Sequence, residues 1–580
     1  MKTLLKDTIT TALKNWQPEN TPTIPIHIER TRDPKFGDFA CNIALLLAKA
    51  CQRKPMDIAQ ELVAKIPKIS AIAAINVAAP GFINFHLAET AFHDVIQTVL
   101  KEAADYGRLT LGKGQRIHIE FVSSNPTGPL HVGHGRHAAY GASLSNILET
   151  AGYDVYREYY VNDAGRQMRI LALSVWLRYL EASGEAITFP RRGYKGDYVM
   201  DIANALKTEC GTRFVKSATE VMEGLPPNDE EHEEQHADAL IERAEKLLSK
   251  TGFDDIFQRA LNTILQDMKN DLAEFGVTYH HWFHESELFK SGDVVRGIQA
   301  LRDAGFLYEK EGATWFRSTD FGDEKDRVVV RENGQPTYFA SDIAYHLNKY
   351  ERGFDRIIGV YGSDHHGYTP RIKASLQALK KDVSKLEVLL VQFAILYRGA
   401  TRASMSTRGG DFVTLRELRH EVGNDAARFF YITRKHEQHL DFDLELAKST
   451  SNDNPVYYVQ YAHARISSVF RQLAQKNWVW NKEQGKQALS QLDTTHEKAL
   501  MRCVSRYPEV IELVAETCEP ATLAYYLQDL ANVFHAYYNA SPFLVEDEIL
   551  RDARLCLITA AQHILANGLK LLGVSALEVM

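Results

Sequence analysis

RIHIEFV, residues 116–122, runs directly into SSNPTGPLHVGHGRHAAYG, residues 123–141, and the junction between them decides the fold. The first segment alternates as a strand does, the prolines and glycines that follow mark a tight turn, and from about His131 to Ala151 the pattern is helical. YDVYREYY, residues 153–160, alternates again. Strand, helix and strand at this spacing predict the opening of a parallel α/β sheet. Nucleotides bind such sheets at the carboxyl end of a strand, where a turn opens a helix whose amino terminus attracts anions.

His131 and His134 stand three residues apart at that helix start and so face the same way. Three readings compete: a metal-ligand pair, a base for a nucleophile, and a grip on a nucleotide triphosphate. Zinc-binding histidine pairs on helices are usually spaced i, i+4 with a glutamate between, and no such glutamate lies here. Two histidines on a core helix are more often structural, but the preceding strand, the PTG turn and the HxGH string together favour the phosphate grip. Gly133 between them is expected to let a flat base approach the backbone.

A chain of 580 residues exceeds what one core organises, so two to four domains are expected. Its 45% hydrophobic and 24% charged residues fit an ordinary soluble protein. The amino terminus lacks the unbroken apolar segment of a secretory signal, and no apolar run approaches a membrane span. We therefore expect a cytoplasmic protein with no membrane partner; a monomer is also expected. The six cysteines form no CxxC pair, which argues against a disulfide framework or a structural zinc site. A net charge of −8 means that any nucleic-acid contacts must be local.

Residues 40–66 carry two helical patterns broken at Pro55, and residues 72–87 read as two strands around Pro80 and Gly81. Residues 101–114 look like a linker. From Asp163 to about Lys290 the pattern is mostly helical; its acidic run NDEEHEEQH, residues 228–236, reads as a solvated face, not a metal site. RVVVRE (327–332), RIIGVYG (356–362) and VLLVQF (388–393) read as the return of the sheet. Beyond Asn452 only helices are expected.

PTGPLHVGH resembles the HIGH signature of class I aminoacyl-tRNA synthetases, and RASMSTRGGDFVTL, residues 402–415, resembles their KMSKS loop, with Ser404 where the first lysine would be. IEFVSSNPTGPLHVGH with SMSTRGGDFVTL is similar to the arginyl-tRNA synthetase family. So, in family order, are YVNDAGRQ (160–167), YKGDYVMDIA (194–203), YFASDIAYHLNKY (338–350), GSDHHGYTPRIKA (362–374), NDAARFFYITR (424–434) and NPVYYVQYAHARI (454–466). FGDFACNIALLLAK and VAAPGFINFHL resemble the family's amino-terminal extension.

The resemblance implies an α/β multidomain protein. Residues 1–105 would form a small α+β domain touching the tRNA elbow, residues 106–451 a Rossmann-type parallel-sheet catalytic domain with a helical insertion near 163–290, and residues 452–580 an all-helical anticodon-binding bundle. The implied activity is attachment of L-arginine to tRNA(Arg) through an arginyl adenylate made from ATP, with Mg2+. Catalysis would fall to His131, His134, Ser406, Thr407 and Arg408, holding phosphates through an in-line displacement that needs no protein nucleophile. Arg402 and Arg408 are the candidates to replace the absent lysine. ATP would meet Asn125, Pro126, Thr127, Gly128, Pro129, Leu130, His131, Val132, Gly133, His134, Gly135, Asp364, His365, Gln392 and Met405, with the backbone of residues 391–393 near adenine. Arginine would meet Glu120 and Asn125 at its α-amino end, and Glu285, Tyr338, Asp342 and His366 elsewhere. A guanidinium is best held by carboxylates, which accept its paired N–H donors. Tyr457, Tyr458, Tyr461, Tyr537 and Tyr538 are candidates to stack on anticodon bases, against the plainer reading of helix packing. The rival readings are another class I synthetase or a nucleotidyltransferase, and a catalytically silent paralogue that only binds tRNA.

Overall fold

Near the amino terminus, β1 (Ile28–Arg30), β2 (Phe39–Cys41), β3 (Ile72–Ala78) and β4 (Phe82–Leu87) form an antiparallel sheet in the order β1-β2-β4-β3. This is a computed structural model that describes residues 1–16, 24–31, 33–399, 401–402 and 413–580. Pro55 opens the helix Pro55–Lys65, a position where its missing N–H costs nothing, so the expected break falls between two packed helices. The stretch expected as a linker is built into the fold instead. Glu89–Glu102 is helical, Tyr106 is buried, and the N–H groups of Leu109 and Gly112 donate to the carbonyls of Thr150 and Ala151. Its glycines read as flexibility because those backbone partners lie forty residues on in sequence.

The central sheet contains β5 (Arg116–Phe121), β6 (Asp154–Val161), β7 (His281–His284), β11 (Arg356–Gly362) and β12 (Leu386–Val391), all parallel, in the order β12-β11-β5-β6-β7. β5 is buried at every position after Arg116, as a central strand covered on both faces must be. The chain leaves β5 toward β6 and β7, then returns on the other side as β11. The direction of winding therefore reverses between β5 and β11, and ligands bind α/β sheets at such a reversal.

Between β6 and β7 the chain departs through the helices Arg166–Ala182, Asp197–Cys210, Ala218–Met222 and Glu233–Glu274. HWFH, residues 281–284, lies inside the stretch expected to be helical but rejoins the sheet as its edge strand; four residues are too short to show a period. RVVVRE is likewise corrected. It supplies β10 (Arg327–Val330), which pairs antiparallel with β9 (Ala313–Phe316), and β9 with β8 (Leu307–Lys310), in a sheet separate from the parallel one. A third small sheet joins β13 (Ala394–Arg398), β14 (Thr401–Arg402) and β15 (Leu440–Asp443).

From Pro455 the described chain is helical. The helix Glu548–Leu572 is long and apolar enough to cross a membrane by length and composition, but Leu555, Leu557, Ile558, Ala561 and Ile564 are fully buried in the bundle. It is the core helix of that domain.

Candidate active site

β5 ends in the expected turn, but with backbone angles that the sequence pattern does not forecast. Val122 and Ser123 both take positive φ, 70° and 42°, which costs a non-glycine residue energy and requires outside support. Three tyrosine-bearing contacts supply it. The Tyr160 N–H donates to Ser123 Oγ (3.1 Å), the Tyr159 hydroxyl meets Ser124, and the Tyr279 hydroxyl donates to the Phe121 carbonyl (3.1 Å). Further along, the Tyr198 hydroxyl donates to the Thr127 carbonyl (2.8 Å) and Asn125 Nδ2 to Gln167 Oε1 (2.7 Å).

His131 caps the helix Val132–Thr150. Its Nδ1 accepts the Gly133 N–H (3.1 Å), while Nδ1 of His134 accepts the backbone N–H of His131 (3.2 Å), a reciprocal capping box built from two imidazoles. The rings stack with centroids 3.6 Å apart. A Cβ on Gly133 would lie 2.9 Å from the His131 ring, so the glycine is needed for the imidazole to fold back over the helix start. Because each Nδ1 accepts, each ring carries its proton on Nε2. Burial lowers both pKa values, and for His134 the neighbouring His131 and His137 lower it further. The pair is therefore neutral at physiological pH and offers donors, not cations.

Residues 413–415, which end the KMSKS-like segment, are paired to this helix start. Leu415 N–H donates to the Leu130 carbonyl (2.8 Å) and Val132 N–H to the Val413 carbonyl (3.2 Å). The next helix, Leu415–Val422, is anchored to the insertion by Arg416 on Asp267 (2.8 Å) and by buried Arg419 on Asp271 (2.5 Å) and Glu274 (2.7 Å). Ser404, Met405, Ser406, Thr407 and Arg408 lie outside the described residues. Arg402 is exposed on β14.

A cavity of about 670 Å³ opens beside these elements, lined by Glu120, Asn125, Thr127, Gly128, Pro129, His131, Gly133, His134, Asp342, Asp364 and His365 among others. Leu130 and Val132 are buried in the core, and Pro126 and Gly135 are also buried, away from the lining. Gln392 is outside the lining too. Its N–H donates to the His436 carbonyl and its carbonyl accepts from buried Arg136 (2.6 Å), while Phe393 reaches the lining. His366 is exposed and outside the lining.

The carboxylates fall into two groups. Glu120 is buried with Lys349 Nζ 2.6 Å and the Tyr361 hydroxyl 2.9 Å from its Oε2. Burial pushes its pKa up, but the Lys349 charge and hydrogen bond outweigh this and hold the carboxyl below its ordinary value. Asp342, the fifth residue of the helix Tyr338–Glu351, is pushed up to about 7 by burial and by the nearby charge of Glu285, with Arg371 opposing. Glu285 is raised by burial as well, and its Oε2 is buried without a hydrogen-bond partner. Glu285 and half-exposed Tyr338 line an adjoining cavity of about 640 Å³ with Ser341 and Arg166.

Several lining residues had no role assigned from sequence: Tyr160, Tyr194, Tyr198, Tyr345, Tyr361 and Tyr368. Most lie in stretches already singled out. The missing signal was spatial, since Tyr345 and Lys349 share the face of one helix with Asp342 at intervals of three, four and seven residues. In the bundle, Tyr537 is fully buried with its hydroxyl on Glu497, a packing residue. Tyr457 and Tyr461 stack at 5.7 Å, and Arg465 lies over both Tyr461 and Tyr538.

Three family models match along the chain: the arginyl tRNA synthetase N terminal domain over residues 3–87, the catalytic domain of tRNA synthetases class I (R) over 95–442, and the DALR anticodon binding domain over 459–580. A protein named arginine–tRNA ligase from Legionella pneumophila strain Corby is 56% identical over 100% of both chains. Its Coxiella burnetii counterpart, strain RSA 331 / Henzerling II, is 56% identical over 97% of this chain and 96% of its own. The Thermus thermophilus arginyl-tRNA synthetase structure superposes with a TM-score of 0.73 at 24% identity, covering 100% of both chains, a likeness of fold.

Proposed function

We propose the chemistry of the cavity from one premise: this chain belongs to the arginyl-tRNA synthetase family. Its activity is that of an arginine–tRNA ligase, which uses ATP to activate L-arginine and charges tRNA with it. The observation that carries the assignment of roles is a pair of acids, Asp342 on the larger cavity and Glu285 on the adjoining one. Asp342 and Glu285 repel one another, and Glu285 Oε2 lacks a partner. A guanidinium brings a permanent charge and forked donors that satisfy both deficits, whereas lysine brings a point charge and no fork. Tyr338 packs beside it, and Glu120 and Asn125 take the α-amino end.

ATP lies along residues 125–135 with Asp364 and His365 beside its ribose. His131 and His134 offer Nε2–H donors to the phosphates, and Arg402 and Arg408 supply the positive charge that the neutral histidines do not. Mg2+ would arrive as the counter-ion of the triphosphate. Residues 1–105 touch the tRNA elbow, and residues 452–580 read the anticodon, with Tyr457 and Tyr461 available for stacking. The protein works as a cytoplasmic monomer.

The test is a charging assay with purified protein, total tRNA and each of the twenty amino acids in turn. Arginine alone should be attached. Charging by lysine or cysteine in its place overturns the reading, and tRNA binding without charging favours the silent paralogue.

A further inference from the structure

Two glutamates stand side by side on one face of the central sheet, Glu120 of β5 in register with Glu158 of β6. Both are buried, and the helix Tyr338–Glu351 with its following residue lays one cation over each. Arg352 takes Glu158 as a fork: Nη1 lies 2.6 Å from Oε2 and Nη2 lies 2.9 Å from Oε1. His118 and the Tyr345 hydroxyl add further contacts to Oε1, each at 2.8 Å. Glu158 is thus engaged on both oxygens.

Glu120 is treated differently. Lys349, fully buried, is a point charge and contacts one oxygen, Oε2, to which the Tyr361 hydroxyl also donates. Tyr361 reaches Glu120 because Gly359, its neighbour on β11 and the residue in register with Glu120, has no side chain; a Cβ there would lie 2.7 Å from the Tyr361 ring. The Lys349 ammonium is itself centred 4.0 Å from the Tyr345 ring, which fixes it from the other side. Both groups therefore hold the same oxygen, and the carboxylate that they hold lines the cavity.

We propose that Lys349 is a positioning residue of the amino-acid site: with Tyr361 it fixes Glu120 by one oxygen and leaves Oε1 for the α-ammonium group of the ligand. The choice of lysine over arginine follows, since a fork at position 349 would occupy both oxygens, as Arg352 does on Glu158. This inference rests on the assignment of Glu120 to the α-amino end.

The experiment compares L-arginine with an analogue lacking the α-amino group, in ATP–pyrophosphate exchange with tRNA present. KM is measured for arginine, and inhibition for the analogue. Lys349→Met should raise the arginine KM by roughly 10- to 100-fold, the weight of a hydrogen bond to a charged group, with less change in kcat and none in the analogue's inhibition. Tyr361→Phe, which removes a single O–H, should do the same to a smaller extent and serves if Lys349→Met fails to fold. Equal weakening of arginine and analogue would mean a general distortion and overturn the proposal, as would an unchanged arginine KM. Glu120→Gln separates the two layers. If it leaves the arginine-to-analogue ratio intact, the assignment of Glu120 is wrong; if it abolishes that ratio while Lys349→Met and Tyr361→Phe do not, only the role of Lys349 falls.

Discussion

The two acidic ends of the cavity are built on opposite principles. At one end Glu120 has its own buried cation, Lys349 at 2.6 Å, and stays ionised without help. At the other, Asp342 is pushed up to about 7, and Glu285 is raised and keeps an unpartnered oxygen. A buried charge that is paired inside the protein belongs to the fold, while one left short of a partner is a cost that a ligand of opposite charge removes. The same residue types thus meet the ligand in different states: Glu120 already paired and fixed, with one oxygen left for it, and Asp342 and Glu285 still short of a counter-charge.

The contrast breaks most visibly in stability. Glu120→Gln strands the Lys349 ammonium in the core and should destabilise the ligand-free protein by about 3–5 kcal/mol. Asp342→Asn removes repulsion and should leave it equally stable or stabilise it by about 1 kcal/mol, although arginine binding is weakened. Chemical denaturation of both variants checks this, and a loss of the same sign and size in each would erase the distinction between the two ends.

A smaller effect lies in pH. Asp342 must be ionised to receive a guanidinium, so the arginine KM should rise as pH falls through about 7, approaching tenfold per unit, and Asp342→Asn should abolish the dependence. Folding runs the same way round. The unfolded chain titrates Asp342 at its ordinary 3.8 and the folded chain near 7, so the folded state holds more protons in that window. Ligand-free stability should therefore fall as pH rises from about 4 to about 7, and excess arginine should flatten the slope. Smallest of all, Glu285→Gln removes the like charge beside Asp342 and should move the midpoint of the KM profile toward acid by a fraction of a pH unit. A midpoint that stays put would mean that burial alone sets it.

Much of this was legible in the chain. The strand-turn-helix at residues 116–151 and the histidine pair at its turn were visible because each depends on neighbours within a few residues. What escaped notice depends on register. RVVVRE alternates like any half-covered strand, and nothing local says which sheet it joins. Lys349 reads as an ordinary helix lysine until the helix is laid across β5, and Tyr361 reads as a strand aromatic until Gly359 is seen in line with Glu120. Gly133 reads in the sequence as room for a flat base, and the structure adds a constraint that lies outside that reading, the His131 ring that a Cβ there would meet.

That ring and its partner carry a consequence of their own. A helix start ordinarily meets an anion with bare amide hydrogens. Here two of those hydrogens are already given to imidazole nitrogens, and each imidazole presents a hydrogen of its own from its far side. The rings act as adapters, carrying the positive pole of the helix outward by the width of an aromatic ring and fixing the direction in which it acts. An adapter of this kind transmits polarity without taking up or releasing a proton, so the histidines should be silent in any proton count taken across the reaction.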